Sequence, residues 1–179
     1  MNSSKSNEAL SFKKVWLLFQ ESNKQLKGAE KKLMKLYAAM AGIGKNKKVV
    51  AEEFFFNALK NNENLLDINY NYTEHLVGHN KKLSCIFDIV LFGDDHIILV
   101  EVKHKLHLSD VTDFCDRKLV DFRLQFPKYS PKKLFGCIAA QHIPSKSLEL
   151  ASQNGIIVIT KDNNTFRVLN DKYFKPSCF

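Results

Sequence analysis

The run IFDIVLFGDDHIILVEVKHK, residues 86–105, does most to limit what this chain can fold into. Two apolar stretches of strand length flank a Gly-Asp-Asp turn, the pattern of an antiparallel hairpin. Three ionisable residues interrupt it: Asp88 in the first stretch, Glu101 and Lys103 in the second. Side chains alternate along a strand, so Glu101 and Lys103 share a face. The turn decides where Asp88 stands. A two-residue loop Asp94-Asp95 pairs position i with 189 − i and sets Asp88 across from Glu101. A Gly93-Asp94 loop pairs i with 187 − i and leaves the two acids diagonal on one face. A three-residue loop would separate them. Two-residue loops with Gly or Asp are the commonest, so convergence is the expectation.

Two carboxylates within cross-strand reach repel each other, and burying them is costly. A divalent cation removes that penalty. Hard oxygen ligands suit Mg²⁺ or Mn²⁺, which commonly take one or two carboxylates plus waters and a substrate phosphate. Lys103, on the Glu101 face, can then stabilise charge on an attacking oxygen or on the phosphate. This set fits phosphodiester hydrolysis. Taken singly, Asp88 or Glu101 has the simpler reading of an edge charge or a lysine's salt-bridge partner. The combined pattern D-x₁₂-E-x-K, on two adjacent apolar strands, carries more weight.

The remaining elements give that hairpin a setting. Phe12, Val15, Phe19, Ser22, Leu26, Ala29, Leu33, Leu36 and Met40 step by three and four, a long helix with heptad character. Trp16, Leu17, Leu18 and Tyr37 widen its apolar face, so it suits either a coiled-coil homodimer or packing on its own domain. GIGKNKK reads as a linker, without the GxxxxGK[ST] spacing of a phosphate loop. A helix over about KKVVAEEFFFNALKNN and a half-buried strand DINYNYTEH follow, the latter with Ile68, Tyr70 and Tyr72 on one face. After the hairpin, Ser109 is the expected N-cap of a helix running to about Phe126. KLFGCIAA is a buried strand, SKSLELASQNG a helix closed at Gly155, IIVIT a strand and TFRVLN an edge strand. The order predicts an α/β fold around a mixed central sheet flanked by helices. The expected division is a helical extension over 1–42 and a domain over 45–179.

Composition sets outer limits. With 179 residues, 45% of them hydrophobic, the chain can bury a substantial core. A net charge of +8 favours a polyanionic partner. Cys85, Cys115, Cys137 and Cys178 lack CxxC spacing and read as free thiols rather than disulfides or zinc ligands. His75 and His79 have i,i+4 spacing, but the strand context argues against a zinc pair. No secretory signal or apolar run of membrane-spanning length is present, so a soluble, cytoplasmic protein with no membrane partner is expected.

The segment FDIVLFGDDHIILVEVK resembles the PD-(D/E)XK nuclease superfamily, and the predicted order from Lys48 to about Ala140 resembles that family's αβββαβ core. The resemblance covers about two thirds of the chain, with Phe87 where the motif's proline would stand. It implies a restriction endonuclease-like fold, plus the long N-terminal helix, and a divalent-metal-dependent nuclease acting on DNA. The metal-binding Asp falls on Asp88, the second acid on Glu101 and the lysine on Lys103, with the Val102 backbone carbonyl as a further ligand. Many members add a glutamate on the preceding helix. On the helical wheel Glu52 borders the apolar arc of Ala51, Phe54, Phe55, Ala58 and Leu59, whereas Glu53 points away, so Glu52 is the choice. In this reading Lys45, Lys47, Lys48, Lys105, Lys128, Lys132 and Lys133 hold the DNA backbone. Gln141 carries little weight as a late contributor. The alternative is a catalytically inactive nuclease-like module that binds DNA or protein and assembles through its N-terminal helix.

Overall fold

The computed structural model describes residues 42–80 and 83–179, together with isolated positions 20 and 22. The N-terminal heptad helix and its dimer therefore lie outside the described residues. The fold is that of the compact unit Lys47–Phe179.

Helix α1 spans Gly42–Lys60. It begins within GIGKNKK, so those residues are helical and not the linker that glycine and lysine content suggested. Glycine lowers helix propensity by only about 1 kcal/mol, which one or two positions do not make decisive. Ala51, Phe55, Ala58 and Leu59 form the buried stripe of α1. Asn62 closes the helix, its amide donating to the Ala58 carbonyl at 2.6 Å.

The next segment departs from expectation. Instead of one strand from Asp67, the chain makes a small ladder of β1 (Asn64–Leu65) and β2 (Ile68–Asn69). Leu66 and Asp67 turn between them at positive φ. The Asn64 side chain supports the turn by accepting from the Asp67 N–H at 3.0 Å. Tyr70 is buried, its hydroxyl donating to the Leu59 carbonyl at 2.7 Å. Tyr72, expected on the same face, is instead half exposed and stacks on Phe92. Local Asn and Asp turn chemistry overrides the period-2 pattern.

The main sheet is six-stranded in the order β3 (Tyr72–Asn80), β4 (Leu83–Phe92), β5 (His96–Lys105), β6 (Lys133–His142), β7 (Ile157–Asp162) and β8 (Thr165–Val168). Strands β5, β6 and β7 are mutually parallel, and the remaining pairs are antiparallel. The sheet is thus mixed, as the sequence predicts.

Between β5 and β6 runs a helical segment: α2 (Leu108–Asp113), a π-turn over Phe114–Lys118, and α3 (Leu119–Gln125). His107, not Ser109, stands at its N-cap, and the Asp110 carboxylate accepts from the His107 backbone N–H at 2.9 Å. Helix α4 (Ser145–Gln153) joins β6 to β7, and Gly155 follows it at φ 70°.

Side-chain alternation divides the core into two layers. Ile97, Leu99 and Ile138 pack with Phe114, Phe122 and Ala151 on the α2–α4 side. Ile98, Val100, Val102 and Ala139 pack with Phe55 and Leu59 of α1 on the other. Burial on both faces explains why β5 and β6 read as near-continuous apolar runs. Cys85 and Cys137 are buried thiols, Cys115 is partly buried and Cys178 is exposed; all four are free. Among the described residues no helix is long and apolar enough to cross a membrane. Phe122 is fully buried, with edge contact to the Phe87 ring. Phe122→Ala is therefore expected to lower unfolding free energy by about 3–5 kcal/mol, measured by chemical denaturation.

Candidate active site

Strand β4 is not regular. Glu74 pairs with Val90, yet Leu76 pairs with Phe87, so Asp88 and Ile89 together oppose His75 alone. This is a β-bulge, and it resets the pleat. Cys85 and Phe87 face the α2–α4 layer, as do Val90 and Phe92, although an unbroken alternation would place the two pairs on opposite faces. The Asp88 carbonyl, which can only accept, takes a hydrogen bond from His75 Nδ1. The His75 ring stacks on Phe56 of α1, with centroids 4.2 Å apart.

The hairpin has the register of the Asp94-Asp95 loop, since Ile89 pairs with Val100 and Phe92 with Ile97. The ladder ends at the Ile89–Val100 pair, one step short of Asp88 and Glu101. In its place Asp88 Oδ2 accepts the Val102 backbone N–H at 2.8 Å. The direct cross-strand pair expected from a regular hairpin is absent because the bulge turns Asp88 aside. Its other oxygen, Oδ1, accepts from Lys48 Nζ of α1 at 3.3 Å. Lys48 also meets Glu52 Oε1 at 3.1 Å, one helical turn along.

Glu101 keeps the α2–α3 side of the sheet. Its Oε1 lies 3.2 Å from Lys103 Nζ and its Oε2 3.1 Å from Lys118 Nζ. Lys103 in turn reaches Asp110 Oδ1 at 3.1 Å. Lys118 belongs to the π-turn and also donates to the Ile86 carbonyl at 3.1 Å. Asp88 and Glu101 are each only 5% exposed. The two ion-pair chains sense each other, because Glu101 helps hold the Lys48 proton and Lys118 favours ionised Asp88.

Burial is the largest influence on Asp88 and raises its pKa, reinforced by Glu52 and opposed by Lys48, the Val102 N–H and Lys118. For Lys103, burial works to lower the pKa, but Glu101 and Asp110 outweigh it and the net shift is upward. Lys48 behaves alike, with Asp88 and Glu52 outweighing its burial.

Asp88 and Glu52 thus share Lys48 on the α1 side, Glu101 and Lys103 form a second ion-pair chain with Lys118 and Asp110 on the α2–α3 side, and Glu53 is exposed. Among the described residues no three His, Cys, Asp or Glu side chains already surround a metal-sized point. The donor chemistry still fits a hard cation, with two buried carboxylates on neighbouring strands and a backbone opened at Val102.

The basic candidates divide. Lys48 is part of the cluster, while Lys47 and Lys105 are exposed outside it. Lys45 lies in the first turns of α1, where side chains fall outside the described residues. Lys132 and Lys133 lie at the start of β6, beside the N-terminal end of β5. Lys132 Nζ donates to the Gly93 and Asp94 carbonyls, both at 2.6 Å, and Lys133 pairs with Asp95. Lys133 stands beside His96 in the ladder, five residues from Glu101, or about 17 Å along the strand. These two lysines therefore stabilise the turn and do not belong with the cluster. Lys128 lies over the Tyr129 ring at 4.7 Å. Gln141 Oε1 accepts from His104 Nδ1 at 2.9 Å.

Sequence reasoning missed Lys118, Asp110 and the part of His75. Lys118 follows Asp110 by eight residues, a spacing that approximates one helix face, but the π-turn that aims it has no local signature.

Because Asp88 has a higher pKa folded than unfolded, folding favours its protonated form. Its contribution to stability is full below the ordinary carboxylate pKa and is lost as pH rises through the raised value. Asp88→Asn keeps an acceptor for Val102 and removes the charge. In EDTA at pH 7 this variant is expected to melt above wild type, with the gap closing below about pH 4. Thermal melts across pH check this, and a lower melting temperature at pH 7 would contradict it.

Compared with known proteins, the chain matches no family model, no curated protein and no solved structure.

Proposed function

We propose that this protein is a divalent-metal-dependent nuclease of the PD-(D/E)XK type, hydrolysing phosphodiester bonds in DNA. One observation carries the reading. Asp88 and Glu101, two acids buried to 5% exposure, flank the point where the β4–β5 ladder opens, with Lys103 on the Glu101 face. Support also comes from the order of α1, the main-sheet strands β3–β5, the α2–α3 segment and β6, with the small β1–β2 ladder inserted after α1, which fits a restriction endonuclease-like core.

Asp88, Glu101 and the Val102 carbonyl would hold Mg²⁺ or Mn²⁺, with Glu52 orienting a ligand water. The bound ion supplies Lewis acidity toward phosphate and water. The raised pKa of Lys103 keeps its ammonium charged at neutral pH, which suits it to hydrogen-bond the phosphate oxygens as their charge grows. It does not suit general-base work. Water attacks phosphorus, the bond to the leaving oxygen breaks, and the water's protons end on the leaving oxygen and solvent. The net charge of +8 supports a polyanionic substrate.

A second reading has its own observation. Every carboxylate of the cluster is already paired with a lysine, as in a structural ion-pair network. That favours a nuclease-like module that binds DNA or protein without cutting.

Supercoiled, linear and branched DNA incubated with Mg²⁺, Mn²⁺ or EDTA separates the two. Metal-dependent cleavage is expected, abolished by EDTA and by Asp88→Ala. Lys103→Met, which removes the charge, is expected to lower the single-turnover rate by about 10²–10³-fold. Cleavage that survives both EDTA and Asp88→Ala would rule the assignment out. DNA binding without cleavage in any metal would establish the second reading.

A further inference from the structure

Three ammonium groups neutralise the buried acids, and they are held differently. Lys118 also bonds the Ile86 carbonyl, and Lys103 is shared with Asp110. The contacts of Lys48 Nζ are Glu52 and Asp88 alone among the described residues. It is also the most solvent-open of the three, its side chain 42% exposed against 26% for Lys103 and 14% for Lys118. Its carboxylate partners are far more enclosed, at 17% for Glu52 and 4% for Asp88. The lysine thus reaches inward from a stem that remains in water, an arrangement from which the head can retract without unfolding anything.

The lysine also has a definite electrostatic task. Asp88 Oδ2 is satisfied by the Val102 N–H, while Oδ1 has Lys48 as its partner. Removing a buried charge's nearest counter-ion is strongly destabilising unless another cation replaces it. A divalent cation at Asp88 would need the same Oδ1 environment and would repel an ammonium a few ångströms away. The two cations are therefore alternatives.

We propose that Lys48 is a displaceable internal cation, occupying the Asp88 and Glu52 carboxylates when no divalent ion is bound and retracting when one binds. The idea rests on the metal-dependent reading above. It gives α1 a regulatory part, because the protein keeps its acids neutralised in the absence of metal and lowers its own metal affinity. Retraction leaves an ammonium at the edge of the site, placed to meet the phosphate backbone of a nucleic acid only once the ion is present. Metal loading and phosphate contact are coupled through one side chain.

Mn²⁺ binding to the metal-stripped full-length protein tests this, with free Mn²⁺ followed by electron paramagnetic resonance at pH 7. Melting in EDTA is measured alongside. Lys48→Met is expected to bind Mn²⁺ about five- to tenfold more tightly than wild type. It is also expected to melt lower than wild type in EDTA and to gain more in melting temperature from Mn²⁺. Lys48→Arg keeps the charge and is expected to stay within about twofold of wild-type Mn²⁺ affinity; an Arg variant that gains affinity as Met does would overturn the proposal. Asp88→Asn is expected to lose the site. Unchanged or weaker Mn²⁺ binding in Lys48→Met, with binding lost in Asp88→Asn, would overturn the role of Lys48 and leave the metal site standing. Mn²⁺ binding that is absent, or unaltered by Asp88→Asn, would overturn the metal-dependent reading and the proposal with it.

Discussion

The hydrogen bond from the Val102 backbone N–H to the Asp88 carboxylate is the contact on which the site depends. Where a carbonyl of β4 would close the ladder, a side-chain oxygen does so instead. That substitution keeps a buried N–H satisfied while letting the two strands part. It also holds an acid nearly out of reach of water. The bulge opposite His75 is what brings the Asp88 side chain there, and the His75 contact to the Asp88 carbonyl pins the bulge. A regular β4 would give an ordinary cross-strand pair of acids on the α2–α4 face. The irregular one distributes charge to both sides of the sheet, Asp88 toward α1 and Glu101 toward the π-turn of the connecting helix.

Much of this arrangement is legible in residues 86–105, and the limits are physical. The two-residue loop register follows from Asp94 and Asp95, and that register is present. The shared face of Glu101 and Lys103 follows from strand alternation, and there Glu101 reaches Lys118 and Lys103 reaches Asp110 in the α2–π-turn segment. The bulge does not follow, because one extra residue leaves an apolar run equally apolar. Lys48 illustrates a different limit. Its basic character suggests a solvent-facing phosphate contact, but its i,i+4 relation to Glu52 and the approach of β4 to α1 turn it inward. The Asn-rich segment before β3 reads as alternation, yet Leu66 and Asp67 take left-handed conformations that break it. The parallel core strands, whose runs are buried on both faces, are the most readable part.

Charge balance is the constraint running through the whole cluster. Burial raises the Asp88 pKa, and Lys48 and Lys118 oppose that effect. Burial alone would lower the Lys103 and Lys48 pKa values, and the neighbouring acids reverse it. Such mutual compensation lets ionisable groups stand in a sheet that is otherwise Val, Ile, Leu and Phe. It also means that the proposed metal site and a self-neutralised network would use the same residues, differing by which cation sits on Asp88.

The most direct test of the central claim is where a cation goes. Crystals of the full-length protein soaked in Mn²⁺, with anomalous scattering recorded near the manganese edge, locate it without reference to activity. One strong anomalous peak is expected at Asp88, where the β4–β5 ladder opens, with Lys48 Nζ withdrawn from Asp88. No peak there, with Lys48 still bonded to Asp88 at saturating Mn²⁺, would contradict it.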